Sequence, residues 1–595
     1  ITNMQEMFSN ATAFNQPIGN WNTSSVTEMQ NMFYGARLFN QNISGWNLNK
    51  VGDLEGMLGS SAISRTITTN YTNQKTKADF LRQNLFEDSN VTDIIFIVDI
   101  PPIRWDEKVS YNPLEGDVYM EPDLKSRNYG KKYRVLRLND GNGNGIMGIT
   151  SFSVNGGLQN LDFYYSRGYR ADNLKAFLSP GIHDINVKGT FRQFPTNSGF
   201  TPYIREIRLL RGITSADYML LNNIKLTQDI SNLNVSRIRS MRYMFSGIAN
   251  FNQDISGWNV SNVTNMEKMF YNARTFNQPL NNWDVSKVTN MSGMFQEAVS
   301  FFKPLNNWNT SNVTNMQEMF SNATAFNQPI GNWITSNVTN MSGMFSKSPF
   351  NQPIGDWNVS KVTNMENMFQ EAQSFDQPIG TWITSNVTNM SNMFSSATSF
   401  NKALNNWDTS KVTNMSNMFN NANKFDLDIG NWNVSNVTNM SNMFNNATLF
   451  NRNIGNWDTS RVTDMSLMFY NARTFNQPIG TWNTSNVIYI NYMFYGCTNF
   501  NQPIGTWNTS KVSIMEYMFA YATNFNQNLN SWNTSKVTNM QFMFKNATNF
   551  NIIIYDWNLS SLTSALQIFQ GSGTPRNINN PFTIKYTDRE YLFGP

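Results

Sequence analysis

Over most of the chain the apolar positions return in a fixed order, and tryptophan marks the beat. Fifteen of the 16 tryptophans fall in two runs at a step of 25 residues, once 24: Trp21 and Trp46, then Trp258, Trp283, Trp308, Trp333, Trp357 and onward to Trp557. Within one unit Val263, Met266, Met269, Phe270 and Ala273 stand at i, i+3, i+6, i+7 and i+10. That spacing places them on one helical face, with Ser261 or Thr264 as N-cap, and so predicts a short helix. The second half, Phe276-Asn277-Gln278-Pro279-Leu280, is too short for a helix and carries proline. It predicts a brief extended segment or turn stacking on its equivalents, with an irregular coil as the alternative. Units of this length cannot bury their apolar sides alone and do so by stacking. The fold class expected is an α/β repeat solenoid, leucine-rich-repeat-like, of about 17 coils.

The residue after the in-register Phe is Asn or Asp in nearly every unit, as at Asn252, Asn277, Asn327, Asn351, Asp376, Asn401 and Asp426. Side chains of this kind bond to nearby backbone groups at turns, so the column is expected to be a structural ladder. Phe302 breaks it.

The beat stops between Trp46 and Trp258. Val51, Leu54, Met57 and Leu58 still match the first half of a unit, and Leu226 to Leu233 match the second half, with Leu233 in the place of Trp. This predicts solenoid coils over 1–60, an insertion over 61–225 in the loop of a single unit, coils again over 226–570 and a C-terminal cap over 571–595. Residues 61–230 hold 39 of the 84 charged residues, counting 44 Lys and Arg with 40 Asp and Glu. Runs such as Thr92-Asp-Ile-Ile-Phe-Ile-Val, Tyr133-Arg-Val-Leu-Arg-Leu, Ile149-Thr-Ser-Phe-Ser-Val and Ile204-Arg-Glu-Ile-Arg-Leu-Leu alternate as strands do. The insertion is expected to be a mainly-β domain. Carried on a loop of a rigid scaffold, it is placed where recognition is commonly found.

The phrase Ser-Asn-Val-Thr-Asn-Met-Ser-x-Met-Phe-x-x-Ala-x-x-Phe-Asn-Gln-Pro-Ile-Gly-x-Trp resembles the BspA-like surface-repeat family, also represented in mycoplasma surface lipoproteins and in large DNA viruses. The resemblance covers the repeats and not the insertion. It implies a leucine-rich-repeat-like solenoid without enzymatic activity, displayed extracellularly or on a cell surface, or on a virion surface, and associated with adhesion. The family's lipid-anchor cysteine has no counterpart near Ile1, where the sequence opens inside a unit, so an upstream portion is expected.

Composition narrows the chemistry. A net charge of +4 over 595 residues announces neither nucleic acid nor an anionic membrane as partner. One cysteine, Cys497, and one histidine, His183, leave no thiolate metal site and disfavour Ser-His-Asp or Cys-His catalysis. No run approaches the roughly 20 apolar residues of a membrane-spanning helix. The readings of function are therefore a surface scaffold that recognises protein or glycan on another surface, or a structural subunit whose coils bridge neighbouring subunits of an assembly.

Four local patterns carry candidate chemistry. Asp140, Asn142 and Asn144, alternating with glycine, match the opening of a calcium loop, but Ser151 stands where a bidentate Glu belongs and the flanks look extended, which suits a glycine-rich hairpin turn. Tyr164, Tyr165, Arg167 and Tyr169 could stack on sugar rings or pack at an interface, or form half of a core. Asp106-Glu107 and Glu121-Asp123 could serve glycoside hydrolysis, or stand as solvated surface pairs. Asn-x-Ser/Thr triplets, such as Asn259-Val-Ser261, arise from the repeat phrase itself. No cofactor is expected, with calcium as the alternative at the first of these alone.

Overall fold

The coils are built by neither of the regular backbone ladders. In this computed structural model the described residues are 1–36, Leu38, Phe39, Trp46, Val51, Met57, the eight strands named below, 213–574 and 589–594. They form two compact units, Ile1–Ile248 and Ala249–Pro595.

In the second unit each coil bonds to the next in parallel, through a row of single bridges from Asn265–Asn290 to Asn539–Ser564. The segment expected to be helical is a run of turns. Alternate amides leave the coil: Met266, Lys268, Phe270 and Asn272 donate to Asn290, Ser292, Met294 and Gln296 of the following coil at 2.8–2.9 Å. Those between them turn back, as in Met269 to Met266 and Tyr271 to Lys268. A helix would need every amide for its own i−4 carbonyl. Here two residues per coil, Lys268 (φ 50°) and Asn272 (φ 55°), adopt the left-handed conformation and break any helix before it can propagate. Asparagine recurs at these rows, as in Asn392, Asn417, Asn442 and Asn421, because its short polar side chain tolerates that region. The expected helix half is thus corrected: the i, i+3, i+7 spacing does bury Val263, Met266, Met269, Phe270 and Ala273 on one side, but by turns.

The core is a set of columns. Phe270 and Phe295 lie 5.5 Å apart and nearly parallel, and Phe295 and Phe320 repeat the arrangement at 5.7 Å. From Trp283 to Trp557 each Trp donates its indole N–H to a carbonyl of the preceding coil: Trp308 to Leu280 at 2.8 Å, Trp432 to Leu404 at 3.1 Å. The asparagine column is a ladder of side chains accepting from the next coil's backbone, Asn277 N–H to Asn252 Oδ1 at 2.9 Å and Asp376 N–H to Asn351 Oδ1 at 3.0 Å. Phe302 still donates its amide to Asn277, and its exposed ring lies under Lys303. At the C-terminal end a short helix α1 (Arg589–Phe593) covers the last coil, where Tyr591 and Leu592 carbonyls accept from Gln567 and Phe569.

In the first unit Met4, Met29, Phe33, Trp46 and Met57 lie in one core cluster, and the amides of Met4, Glu6 and Phe8 donate to the carbonyls of Glu28, Gln30 and Met32. The intervening strands are β1 (Thr92–Ile100), β2 (Val118–Met120), β3 (Lys132–Leu138), β4 (Ile149–Val154), β5 (Gly157–Leu158), β6 (Leu174–Leu178), β7 (Gly181–Gly189) and β8 (Ile204–Arg211). Five make a sheet in the order β5-β4-β7-β1-β8 and three make β2-β3-β6, all paired antiparallel.

The coil pattern resumes earlier than expected. Ile213, Ala216, Met219 and Leu220 are buried where Ile238, Met241, Met244 and Phe245 stand one coil later, and Ser215 bridges Ser240 in parallel. The return is therefore at about Ile213 and not at Leu226, so a whole first half-coil follows the insertion. That coil also covers the outer edge of β8. Thr227 N–H donates to the Arg205 carbonyl at 3.1 Å, and the Gln228 amide both donates to and accepts from Ile207 backbone, at 2.9 and 2.5 Å. A carboxamide thus acts as one rung of strand pairing and closes an edge that would otherwise template aggregation.

Candidate interaction surface

Asp140, Asn142 and Asn144 lie outside the described residues, as do Tyr164, Tyr165, Arg167 and Tyr169, and the carboxylate pairs at Asp106-Glu107 and Glu121-Asp123. Among the described residues no group of three His, Cys, Asp or Glu is placed to hold a metal, and no helix is long and apolar enough to cross a membrane.

Cys497 fills the alanine column, fully buried, and its thiol donates to the Phe469 carbonyl at 2.7 Å. Burial pushes its ionisation far up, so the thiolate does not form at ordinary pH. We expect no labelling of Cys497 by a thiol reagent at pH 8 in the native chain and complete labelling in denaturant; rapid native labelling would show that its coil opens.

What the second unit offers to a partner is a set of polar rows. Thr289, Thr314, Thr339, Thr363, Thr388, Thr413, Thr438 and Thr463 each donate Oγ1–H to the carbonyl of the preceding threonine at 3.1–3.3 Å. Up to Thr438 these threonines are exposed. A second row consists of Asn or Asp accepting from the Ser two residues on, as in Asn259–Ser261, Asp284–Ser286, Asp408–Ser410 and Asp458–Ser460.

The bonds from Ser286, Ser410 and Ser460 hold the carboxyls of Asp284, Asp408 and Asp458 below the usual carboxylate range. A depressed folded value adds stability above the unfolded pKa of about 4, and that stability is lost as pH falls through the folded values. Replacing all three by Asn, the residue at this row in most coils, is expected to flatten the acid limb of melting temperature against pH below about pH 4. An unaltered acid limb would refute the assignment.

Ion pairs join successive coils where the ladder Asn becomes Asp. Asp376 meets Lys402 at 2.8 Å and Asp426 meets Arg452 at 2.7 Å, each cation standing where other coils carry Gln. Exposed pairs of this kind add little stability.

One region departs from the polar rows. In Asn486-Val-Ile-Tyr-Ile-Asn-Tyr-Met-Phe-Tyr-Gly-Cys, Ile488 replaces the row threonine and Tyr489 the bridging Asn, and Ile514 replaces that Asn one coil later. Tyr492, Tyr517 and Phe542 occupy a left-handed row at φ 57°, 49° and 54°, where Asn392, Asn417 and Asn442 stand in earlier coils. Tyr492 and Tyr517 stack at 4.8 Å, Tyr517 and Phe542 at 4.7 Å, and Tyr470 and Tyr495 at 4.5 Å. Tyr495 and Tyr521 meet at 5.2 Å and 57°. Tyr489 and Tyr521 are exposed and the others half-buried.

Burial, followed by the Glu516 charge, pushes Tyr492 up to about 12, and burial also raises Tyr495 and Tyr517, so these phenols stay protonated. A bulky side chain in the left-handed region costs on the order of 1–2 kcal/mol, comparable to what one stacked aromatic pair returns. Sequence reasoning passed over this patch because each substitution looks like ordinary variation; the signal was that three rows change together within neighbouring coils.

The family described as "Mycoplasma protein of unknown function, DUF285" matches residues 1–92, 193–305, 278–349, 293–407, 390–495 and 475–581. The chain belongs to that family. Its overlapping matches along one chain mark a repeat protein, and they leave out 93–192, the body of the insertion. No curated protein matches the chain.

Proposed function

We propose that this DUF285 chain is a non-enzymatic, surface-displayed repeat scaffold of the leucine-rich-repeat-like solenoid class, akin to BspA-like proteins, that adheres to protein or glycan on another surface. The observation that carries this reading is the row of exposed threonines, each placed one coil from the next. Low charge and regularly spaced small polar groups suit many weak contacts made together, whose combined avidity far exceeds that of one. Adhesion implies an extracellular or cell-surface location. The test is binding of the labelled whole chain to intact cells and to a glycan panel. Saturable binding that weakens steeply when rows are shortened supports adhesion, and turnover of any glycan, or no binding, refutes it.

A second reading, a structural subunit of a virus particle or cell-surface layer, is favoured by the aromatic patch between Tyr470 and Phe542. Imaging of native particles separates the two, since a lattice holds the chain in fixed stoichiometry and an adhesin projects sparsely.

A further inference from the structure

We infer that Asn223 and Gln228 form a latch that fixes the inserted five-stranded sheet to the coil following it, so that the first unit carries the sheet in one orientation and not on a swivel. The inference is independent of what the scaffold binds.

The sequence marks the latch by a substitution. Asn223 stands in the column that carries Ala273, Ala298, Ala323 and Ala372 in later coils, and it is 3% exposed. A carboxamide buried where a methyl group belongs costs free energy unless its donors and acceptor find partners. Its Oδ1 accepts from the amides of Lys225 and Leu226 at 2.9 and 2.7 Å, which closes the local turn. Its Nδ2 leaves the coil and donates to the Ile204 carbonyl of β8 at 2.7 Å. The turn needs only an acceptor at this position; the bond to β8 is what requires Asn and not Asp.

Gln228 completes the contact. It stands in the row of Gln278, Gln377 and Gln502, whose Nε2 donates to the Asn carbonyl of the preceding coil, as from Gln278 to Asn252 at 2.9 Å. At Gln228 the same Nε2 goes instead to the Ile207 carbonyl, and Oε1 accepts the Ile207 amide. Thr227 takes the place of the ladder Asn. Its amide donates to the Arg205 carbonyl, and Arg205 Nε returns to its hydroxyl at 3.3 Å. Residues 204–207 of β8 therefore fill the place of a preceding coil, held by the rows that elsewhere hold coil to coil. Ile204 and Ile207 are buried.

This arrangement leaves no axis to turn about. Gly212 alone separates Arg211, the end of β8, from Ile213, where burial in the coil begins. Rotation about that joint would break the side bonds at Ile204, Arg205 and Ile207. Through the antiparallel ladder β8 holds β1, and with it β7, β4 and β5, so the whole sheet shares its orientation. Among the bonds named, the one from Thr227 to Arg205 is backbone to backbone, and Asn223 and Gln228 supply side-chain amides. The latch can thus be weakened without removing a strand from the sheet or a turn from the coil. A partner that engages the insertion has no joint to order on binding, which lowers the entropic cost of the contact.

Double electron–electron resonance on the whole chain tests this, with spin labels on K188C in β7 and on N232C at an exposed turn of the coil. Cys497, being buried, is expected to stay unlabelled. The intact latch is expected to give one narrow peak in the distance distribution. N223D/Q228E keeps both acceptors and loses both donors, and its distribution is expected to be at least about twice as wide, with circular dichroism unchanged. Q228E alone leaves Asn223 and its turn untouched and is expected to widen the peak by less.

A broad or divided distribution with the latch intact overturns the inference, because the sheet then swivels in the native chain. A folded N223D/Q228E chain with the original narrow peak overturns it too, since the bonds would not be what fixes the sheet. Should circular dichroism show that the double variant has lost its fold, Q228E decides: a widened peak supports the latch, and an unchanged one overturns it. None of these outcomes depends on adhesion or assembly, so the reading of function stands or falls separately.

Discussion

Trp432→Ala is expected to destabilise the second unit by about 4 kcal/mol, within the range of roughly 3–5 for truncating a buried aromatic. Trp432 is 3% exposed, stacks on Trp407 at 6.4 Å and packs against Phe419 at 6.2 Å. Truncation opens a cavity in the column and also removes the donor to the Leu404 carbonyl. A buried acceptor left without a partner adds about 1 kcal/mol or more. Trp432→Phe keeps a ring in the column and removes the indole N–H with a smaller loss of volume; a cost of about 1–2 kcal/mol is expected there. Urea denaturation followed by circular dichroism reads both. A shift below about 1 kcal/mol for the alanine variant would mean that the tryptophan column is not part of the core.

The loss should also be local. In a linear stack each coil touches only its neighbours, so a defect lowers the cost of opening at that point more than elsewhere. Hydrogen exchange is expected to speed most in coils adjoining residue 432.

These columns were legible in the sequence because every coil repeats the same environment: a 25-residue beat in Trp, Met and Phe predicts buried rows without knowledge of the backbone. The asparagine column was legible for the same reason. The backbone path between them was not. Apolar spacing at Met266, Met269 and Phe270 is satisfied equally by a helix and by turns that aim the same side chains inward, and the deciding signal lay in the polar residues. Asparagine at the rows of Asn272, Asn322 and Asn421 marks left-handed positions that no helix accommodates. The return of the coils at Ile213 was hidden because Ala216 and Leu220 stand where Met and Phe usually do. The aromatic patch was hidden for the opposite reason, since a strong regular pattern makes departures from it look incidental.

A deletion series then distinguishes a stack of coils from any arrangement in which the repeats fold separately. Removing residues 309–333, one full coil, joins Trp308 to Ile334 and lets the amides of Met291, Gly293 and Phe295, now bonded to Asn315, Gln317 and Met319, meet the equivalent carbonyls of Asn340, Ser342 and Met344. The Trp357 indole, now on Ile330, would find Leu305. One unit and one interface are lost, and the remaining stack is unchanged in kind, so stability should fall by no more than about 2 kcal/mol.

Removing only residues 309–320 deletes Val313, Met316, Met319 and Phe320, all fully buried, together with all three of those acceptors. The remainder of the coil cannot supply them, because its next residues lead into the Phe326 turn. Four missing core side chains and three orphaned amides should cost on the order of 5 kcal/mol or more, enough to separate the coils on either side into two independent unfolding transitions. Equal melting profiles for the two deletions would show that neighbouring repeats do not depend on one another.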